Sequence, residues 1–184
     1  MPAEPEGPPT LHPAEEFRAE AALILERERA LLDAHRIAGE LVLVGGTSVP
    51  GALTKGDVDL HLRVAAADFA AAVRLLQGLH TVVHPEIWQP SLATFAVAGP
   101  LPTGLAVTPL GSEHYVRFTR TWRRIAADPE LVAAYNAAKL AGAIGDPDYE
   151  QRKSLFFDRV VALGDGALKD ADRDGDEPVS PSAR

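Results

Sequence analysis

The sequence predicts an α+β fold: a mixed sheet with helices packed on one face, followed by a set of C-terminal helices. Three observations point there. Leu41–Val44 is a short apolar run, and Asp57–Val64 alternates, with Asp57, Asp59, His61 and Arg63 on one side and Val58, Leu60, Leu62 and Val64 on the other. A helical stretch rich in alanine then interrupts the strand signals before they resume. From Ser112 onward they stop, and three segments with helix-capping residues at their boundaries follow.

Taken in order, Met1–His12 contains Pro2, Pro5, Gly7, Pro8 and Pro9 and is expected to be a disordered leader. Pro13–His35 predicts a helix, with Pro13 suited to a first helical position, Glu15 and Glu16 in the first turn, and an apolar stripe through Phe17, Ala21, Ile24, Leu25, Leu31 and Leu32. Leu41–Val44 is a strand, Gly45-Gly46 a turn, and Asp57–Val64 the second strand. Ala66–Gly78 predicts a helix with Gly78 as its C-terminal cap. Thr81–Ile87 and Leu92–Val97 are expected strands, and the Gly-Pro segment Gly99–Gly104 leads to a last one, Leu105–Thr108. Ser112, Asp128-Pro129 and Asp146-Pro147 then bound helices at Glu113–Ala127, Pro129–Ile144 and Asp148–Leu163. Residues 13–165 form a single domain on this reading, and 166–184 a disordered acidic tail. In that tail Asp170, Asp172, Asp174 and Gly175 imitate the start of a calcium loop, but Pro181 stands where a bidentate Glu is needed.

Composition narrows the function. A chain of 184 residues supports one ordinary domain. It has no cysteine, which excludes a disulfide framework, a zinc–thiolate centre and a thiol nucleophile. There is no apolar run of membrane-span length and no signal-peptide pattern, so a cytoplasmic location and no membrane partner are expected. A formal charge of −8 argues against bulk nucleic-acid binding, which needs many Lys and Arg contacts to phosphate. A small substrate bound through a metal fits that charge.

The chemistry concentrates in Leu41–Val64. Two carboxylates adjacent on one strand face repel, and Asp is disfavoured in strands; a divalent cation supplies a reason for both. Gly45 and Gly46 allow positive φ and close approach of backbone N–H groups to phosphate oxygens. Thr47 and Ser48 add hydroxyls, and Lys55 adds a point charge. Asp57 and Asp59 facing them would hold Mg²⁺ or Mn²⁺ bridging the phosphates of a nucleotide triphosphate. An amphipathic edge strand with a wet face is the competing explanation.

Gly45-Gly46, ten residues, then Asp57-Val58-Asp59-Leu60 resembles the signature of the nucleotidyltransferase superfamily with a DNA polymerase β-type palm. Within it, Gly46-Thr47-Ser48-Val49-Pro50-Gly51 together with Lys55 resembles the GrpB family (UPF0157-type), and the likeness extends over Ala38–Leu163. It implies a nucleotidyltransferase-like mixed sheet, a Gly-Gly turn that holds the triphosphate, an Asp-x-Asp strand that binds two metal ions, and Lys139 or Lys153 directed at the nucleotide. Two features depart from the pattern. The third acidic residue of active members has no counterpart on Leu92–Val97 or Leu105–Thr108, with Glu86 the only acid between Thr81 and Thr108; histidines usual on the last strand are replaced at Gly104 and Ala106. Alignment from Gly46 also makes Asp59 and His61 the ligand pair, whereas the broader pattern makes it Asp57 and Asp59. A histidine ligand would favour Mn²⁺ or Zn²⁺ over Mg²⁺.

Elsewhere, Tyr115, Phe118, Trp122 and Ile125 recur at helical spacing and predict core, while Arg117, Arg120, Arg123 and Arg124 give the same helix a basic character suited to solvent or to phosphate. The sequence thus supports a metal-dependent nucleotidyltransferase acting on an unidentified small acceptor. A nucleotide- or phosphometabolite-binding protein without turnover competes, as does an interaction protein that docks through its helical end.

Overall fold

The structure, a computed structural model, describes residues 10–141 and 147–163. It is an α+β fold built on a five-stranded mixed sheet. Strands β1 (His12–Pro13) and β3 (Leu53–Thr54) form a separate two-stranded ribbon. The main sheet is ordered β2-β4-β7-β6-β5, with β2 (Glu40–Val44), β4 (Val58–Val64), β5 (Thr81–Val82), β6 (Ala93–Val97) and β7 (Thr103–Pro109). β4 and β7 are parallel at its centre; every other pairing is antiparallel.

Helices α1 (Arg18–Ala34) and α2 (Phe69–Gln77) cover one face. The alternation of β4 accounts for this: Val58, Leu60, Leu62 and Val64 are fully buried against Ile24, Leu32, Ala72 and Leu76, with Phe95, Leu105 and Val107 from neighbouring strands. Burying each such side chain stabilises the fold by about 1.5–3 kcal/mol. Helices α3 (Glu113–Ala127), α4 (Pro129–Leu140) and α5 (Pro147–Ala162) pack on one another around Ile125, Tyr135, Phe156 and Val160 and roof part of the opposite face. Ser112 and Asp128 cap α3 and α4 through Tyr115 N and Glu130 N, as their residue types predict.

Several boundaries differ from expectation. His12 belongs to β1, so the fold begins inside the expected leader; the other leader residues up to Pro9, the 142–146 segment and the acidic tail from residue 166 lie outside the described residues. The first helix opens as a 3-10 turn, Ala14–Phe17. The expected strand Thr81–Ile87 ends at Val82 because His84 takes a left-handed backbone (φ 48°) and Pro85–Ile87 forms a 3-10 turn. β7 is longer than expected and includes Gly104. α2 starts at Phe69, three residues into its expected span.

Candidate functional site

β2 pairs with β4 so that Val44 faces Asp59, and the chain turns immediately afterwards at Gly45. Gly45 has φ 76° and ψ −176°, a conformation essentially confined to glycine. A Cβ there would lie 2.0 Å from Asp59 Oδ2. The glycine is therefore required by the carboxylate itself, before any phosphate is considered. At Gly46 a Cβ would approach Tyr135 Oη at 3.3 Å and Lys139 Nζ at 3.6 Å, so α4 closes over the turn.

The turn hydroxyls are engaged internally. Thr47, almost fully buried, donates to Asp57 O and lies 3.2 Å from Thr54 Oγ1, and Ser48 Oγ donates to Gly45 O at 2.7 Å. In this arrangement they shape the loop. Asn136 fastens the following segment to α4: its Oδ1 accepts from Leu53 N and its Nδ2 donates to Gly51 O, both at 2.8 Å.

Asp57 sits just before β4, where its Oδ1 accepts from Thr54 Oγ1 (3.2 Å) and its Oδ2 lies 3.6 Å from Lys55 Nζ. Asp59 has no hydrogen-bond donor or ion-pair partner among the described residues. Its side chain opens onto a cleft that water can enter, but protein encloses it on the remaining sides. That enclosure, reinforced by the charge of Asp57 and only partly offset by Lys153 and Lys55, pushes its pKa up to about 6.

Two cavities meet at this carboxylate pair. One, of about 100 Å³, is lined by Gly46, Lys55, Tyr135, Lys139 and Lys153 besides Asp57 and Asp59. Lys139 is only 3% exposed, and its Nζ has no hydrogen-bond partner among the described residues and stands 3.7 Å from the centre of the Tyr135 ring. Burial depresses its pKa to about 8, against the pull of Asp57. Both lysines that the family resemblance implied are thus brought to the carboxylates from helices some 80 to 95 residues further along the chain. The other cavity, of about 1050 Å³, runs from Asp57 and Asp59 across the exposed faces of β7 and β6.

His61 is drawn elsewhere. Fully buried under α3, it packs edge-on against Phe118, with Nε2 2.7 Å from Thr108 Oγ1 and Nδ1 accepting from Arg63 Nε at 3.4 Å. Burial and Arg63 lower its pKa to about 4, so the ring is neutral at physiological pH; with Nδ1 accepting, Nε2–H donates to Thr108. Both nitrogens are occupied in tying β4 to β7 and to Arg63. Among the described residues no three His, Asp or Glu side chains converge on a common point, so Asp57, Asp59 and His61 are not gathered as a three-ligand set. Asp57 and Asp59 alone still fit a cation whose remaining ligands are water and substrate phosphate oxygens, which is how Mg²⁺ is commonly held.

The third acid is absent from the strand beside them. Gly104 is the direct partner of Asp59 on β7 and Ala106 that of His61, while Glu86 pairs with His84 at the surface. A Cβ at residue 104 would stand 3.8 Å from Asp59 Oδ1, an ordinary contact. The basic helix makes partly structural use of its charge: Arg117 binds Asp158 at 2.7 Å and Arg124 donates to Val160 O at the end of α5. Sequence reasoning assigned no role to Asn136, Thr108 or the Tyr135 hydroxyl. Tyr135 and Lys139, four residues apart on one helix face, were the signal available.

The geometry is that of an α+β scaffold in which a carboxylate pair, a glycine turn and a buried lysine meet at the floor of a cleft. The family described as GrpB protein matches residues 11–162, and the chain belongs to it. A UPF0157 protein of Vibrio cholerae serotype O1 is 30% identical over 122 residues, covering 64% of this chain and 63% of that protein. The chain therefore matches somewhat less than two thirds of that relative's length. The crystal structure of the conserved protein GrpB from Enterococcus faecalis superposes with a TM-score of 0.61 at 15% identity, covering 76% of this chain and 89% of that one, a likeness of fold. Among the described residues no helix is long and apolar enough to cross a membrane.

Proposed function

We propose that this protein is a metal-dependent nucleotidyltransferase that moves a nucleotidyl group from a nucleotide triphosphate to a small-molecule acceptor. The observation that carries the reading is the meeting of two cavities at Asp57 and Asp59, one lined by Lys55, Lys139 and Lys153, the other open to a second substrate. A bound divalent cation would join the carboxylates to the triphosphate and neutralise its developing charge. Lys139, buried with no hydrogen-bond partner among the described residues, is suited to an anion that restores its full charge. Lys55 and Lys153 extend that positive lining, and Gly46 lines the same cavity. The lysine cavity has about the volume of three waters, so it suits terminal phosphates rather than a nucleoside.

In the transfer itself the acceptor oxygen or nitrogen bonds to the α-phosphorus as the bond to the bridging oxygen breaks. Pyrophosphate leaves with that electron pair, and the acceptor's proton passes to water. Asp57 and Asp59 position the reacting phosphate, and the lysines hold the leaving group.

Gly104, standing opposite Asp59 where a third carboxylate would complete the ligand set, favours a second reading: binding of a nucleotide or phosphometabolite without turnover. Isothermal titration with ATP, GTP, CTP and UTP, with and without Mg²⁺ or Mn²⁺, on the wild type and Asp59→Ala, tests the shared part of both. Metal-dependent binding that Asp59→Ala abolishes supports the site, and pyrophosphate release with added acceptors then separates transfer from binding. Failure of every nucleotide under either metal sinks the transfer reading and leaves a scaffold whose ligand is something other than a nucleotide.

A further inference from the structure

The larger cavity has a construction of its own. Its floor is laid in rows fixed by strand register: Asp59, Gly104 and Ala96 in one, His61, Ala106 and Thr94 in the next. Beyond the β4 side chains, those positions carry a methyl group or less, except for Thr94, so the floor is flat and low. Phe118 and Trp122 of α3 and Phe157 of α5 stand as its wall. At about 1050 Å³ the cleft is large enough to take a small molecule.

Its polar groups are mostly committed. Thr94 Oγ1 donates to Val83 O at 2.7 Å, His61 is held by Thr108 and Arg63, and Arg117 at the rim binds Asp158. On the wall Thr121 Oγ1 is buried and has no hydrogen-bond partner among the described residues. Uncommitted polarity on the floor and wall is thus the Asp59 end and one hydroxyl, with the exposed side chains of His84 and Arg117 at the rim. A nucleobase or sugar edge would lose several hydrogen bonds to water on this floor and regain few, whereas an apolar body loses none. On the floor itself, one polar head is all that the lining serves.

We infer that the cleft is the acceptor subsite, and that the acceptor is a small amphiphile: an apolar chain or ring bearing a single nucleophilic head that reaches Asp59. The word acceptor rests on the nucleotidyl-transfer reading; the binding of an apolar body with one polar end does not. The small residues opposite Asp59 then have a use. Where a third carboxylate is missing, Gly104 and Ala106 leave the space along which an apolar body can lie.

Hexanol, octanol and decanol serve as probes on the full chain, read by titration calorimetry and by the fluorescence of Trp122 in the wall. The expected result is saturable binding that tightens about fourfold per added methylene, persists at saturating Mg²⁺ and nucleotide, and is weakened at least tenfold by Ala106→Phe. Ala96→Leu, a smaller intrusion in the adjacent row, should weaken decanol in the same direction, with melting curves showing that both variants are folded. Absence of saturable alcohol binding, or wild-type decanol affinity in both folded variants, overturns the inference. Displacement of decanol by nucleotide overturns it too, since the cleft would then house the nucleoside. Alcohol binding in a protein that binds no nucleotide overturns the transfer reading while leaving the apolar pocket standing.

Discussion

Two carboxylates, Glu28 buried under the sheet and Asp59 at the open cleft, meet opposite treatment. Glu28 on α1 is nearly inaccessible, but His80 Nε2 lies 3.2 Å from one oxygen, and Arg27, which also donates to Ala98 O, reaches the other at 3.2 Å. Burial pushes its pKa up, and His80 and Arg27 together outweigh that, so the net shift is downward. Asp59 lies in a cleft that water can enter, receives no hydrogen bond among the described residues, faces Asp57, and is pushed up to about 6. Glu28 carries its compensation within the chain and belongs to the architecture of the closed side of the sheet. Asp59 is held without one, and Gly45 adopts a restricted conformation to make room for it. On the proposed function, that group is kept for what it binds.

The contrast can be broken first on the paired side. Glu28→Ala leaves His80 and Arg27 without their shared carboxylate, and by the behaviour of buried pairs it should destabilise the protein by about 3 kcal/mol in denaturant unfolding. Metal-nucleotide titration on that variant should be unchanged. Gly45→Ala comes next, expected to lose about 2 kcal/mol from backbone strain and to displace the Asp59 carboxylate. It should therefore affect stability and ligand titration together.

The two carboxylates also respond to pH with opposite sign. Glu28 has a lowered folded pKa, so its contribution is present above 4.5 and lost as pH falls through the folded value. Asp59 has a raised one: the folded state holds the proton more tightly, an advantage present below 3.8 and lost as pH rises through about 6. Melting curves should show the deficit of Glu28→Gln shrinking on acidification. For Asp59→Asn, the gain over wild type should grow between pH 4 and pH 7.5.

The smallest effect belongs to Lys139. Its folded pKa near 8 lies below the ordinary 10.5, so the buried ammonium costs stability below pH 8, and the cost fades as pH rises toward 10.5. Lys139→Met should raise stability by about 1 kcal/mol at pH 7, roughly 3 °C in Tm, while weakening nucleotide binding. In the wild type at pH 8.5, nucleotide binding should take up a proton, visible as a binding enthalpy that changes with the buffer's ionisation heat.

What the sequence made legible was local. The period-two pattern of β4 assigned both of its faces, because burial of Val58, Leu60, Leu62 and Val64 leaves Asp59, His61 and Arg63 only the other side. Ser112 and Asp128-Pro129 marked helix starts because a cap is chemistry within three residues. Partners arriving from far along the chain were not legible. Nothing near His61 announces Thr108, nothing near Glu28 announces His80, and the reason for Gly45 appears only when β2 and β4 are in register. Thr47 and Ser48, expected to offer hydroxyls to phosphate, have them turned into the loop by Asp57 O and Gly45 O. The truncated β5 reflects His84, whose left-handed backbone strand propensity does not anticipate.

The most direct test of an Asp59 kept for a ligand rather than for the fold is thermal melting of wild type and Asp59→Asn at pH 7.5. Each is measured alone, and again with Mn²⁺ and the nucleotide that titration shows to bind tightest. Alone, the Asn variant should melt higher than wild type; with metal and nucleotide, the wild type should gain several degrees and the variant almost none, reversing the order. A wild type that is the more stable protein without ligand, or a variant that gains as much from metal and nucleotide, would contradict the account.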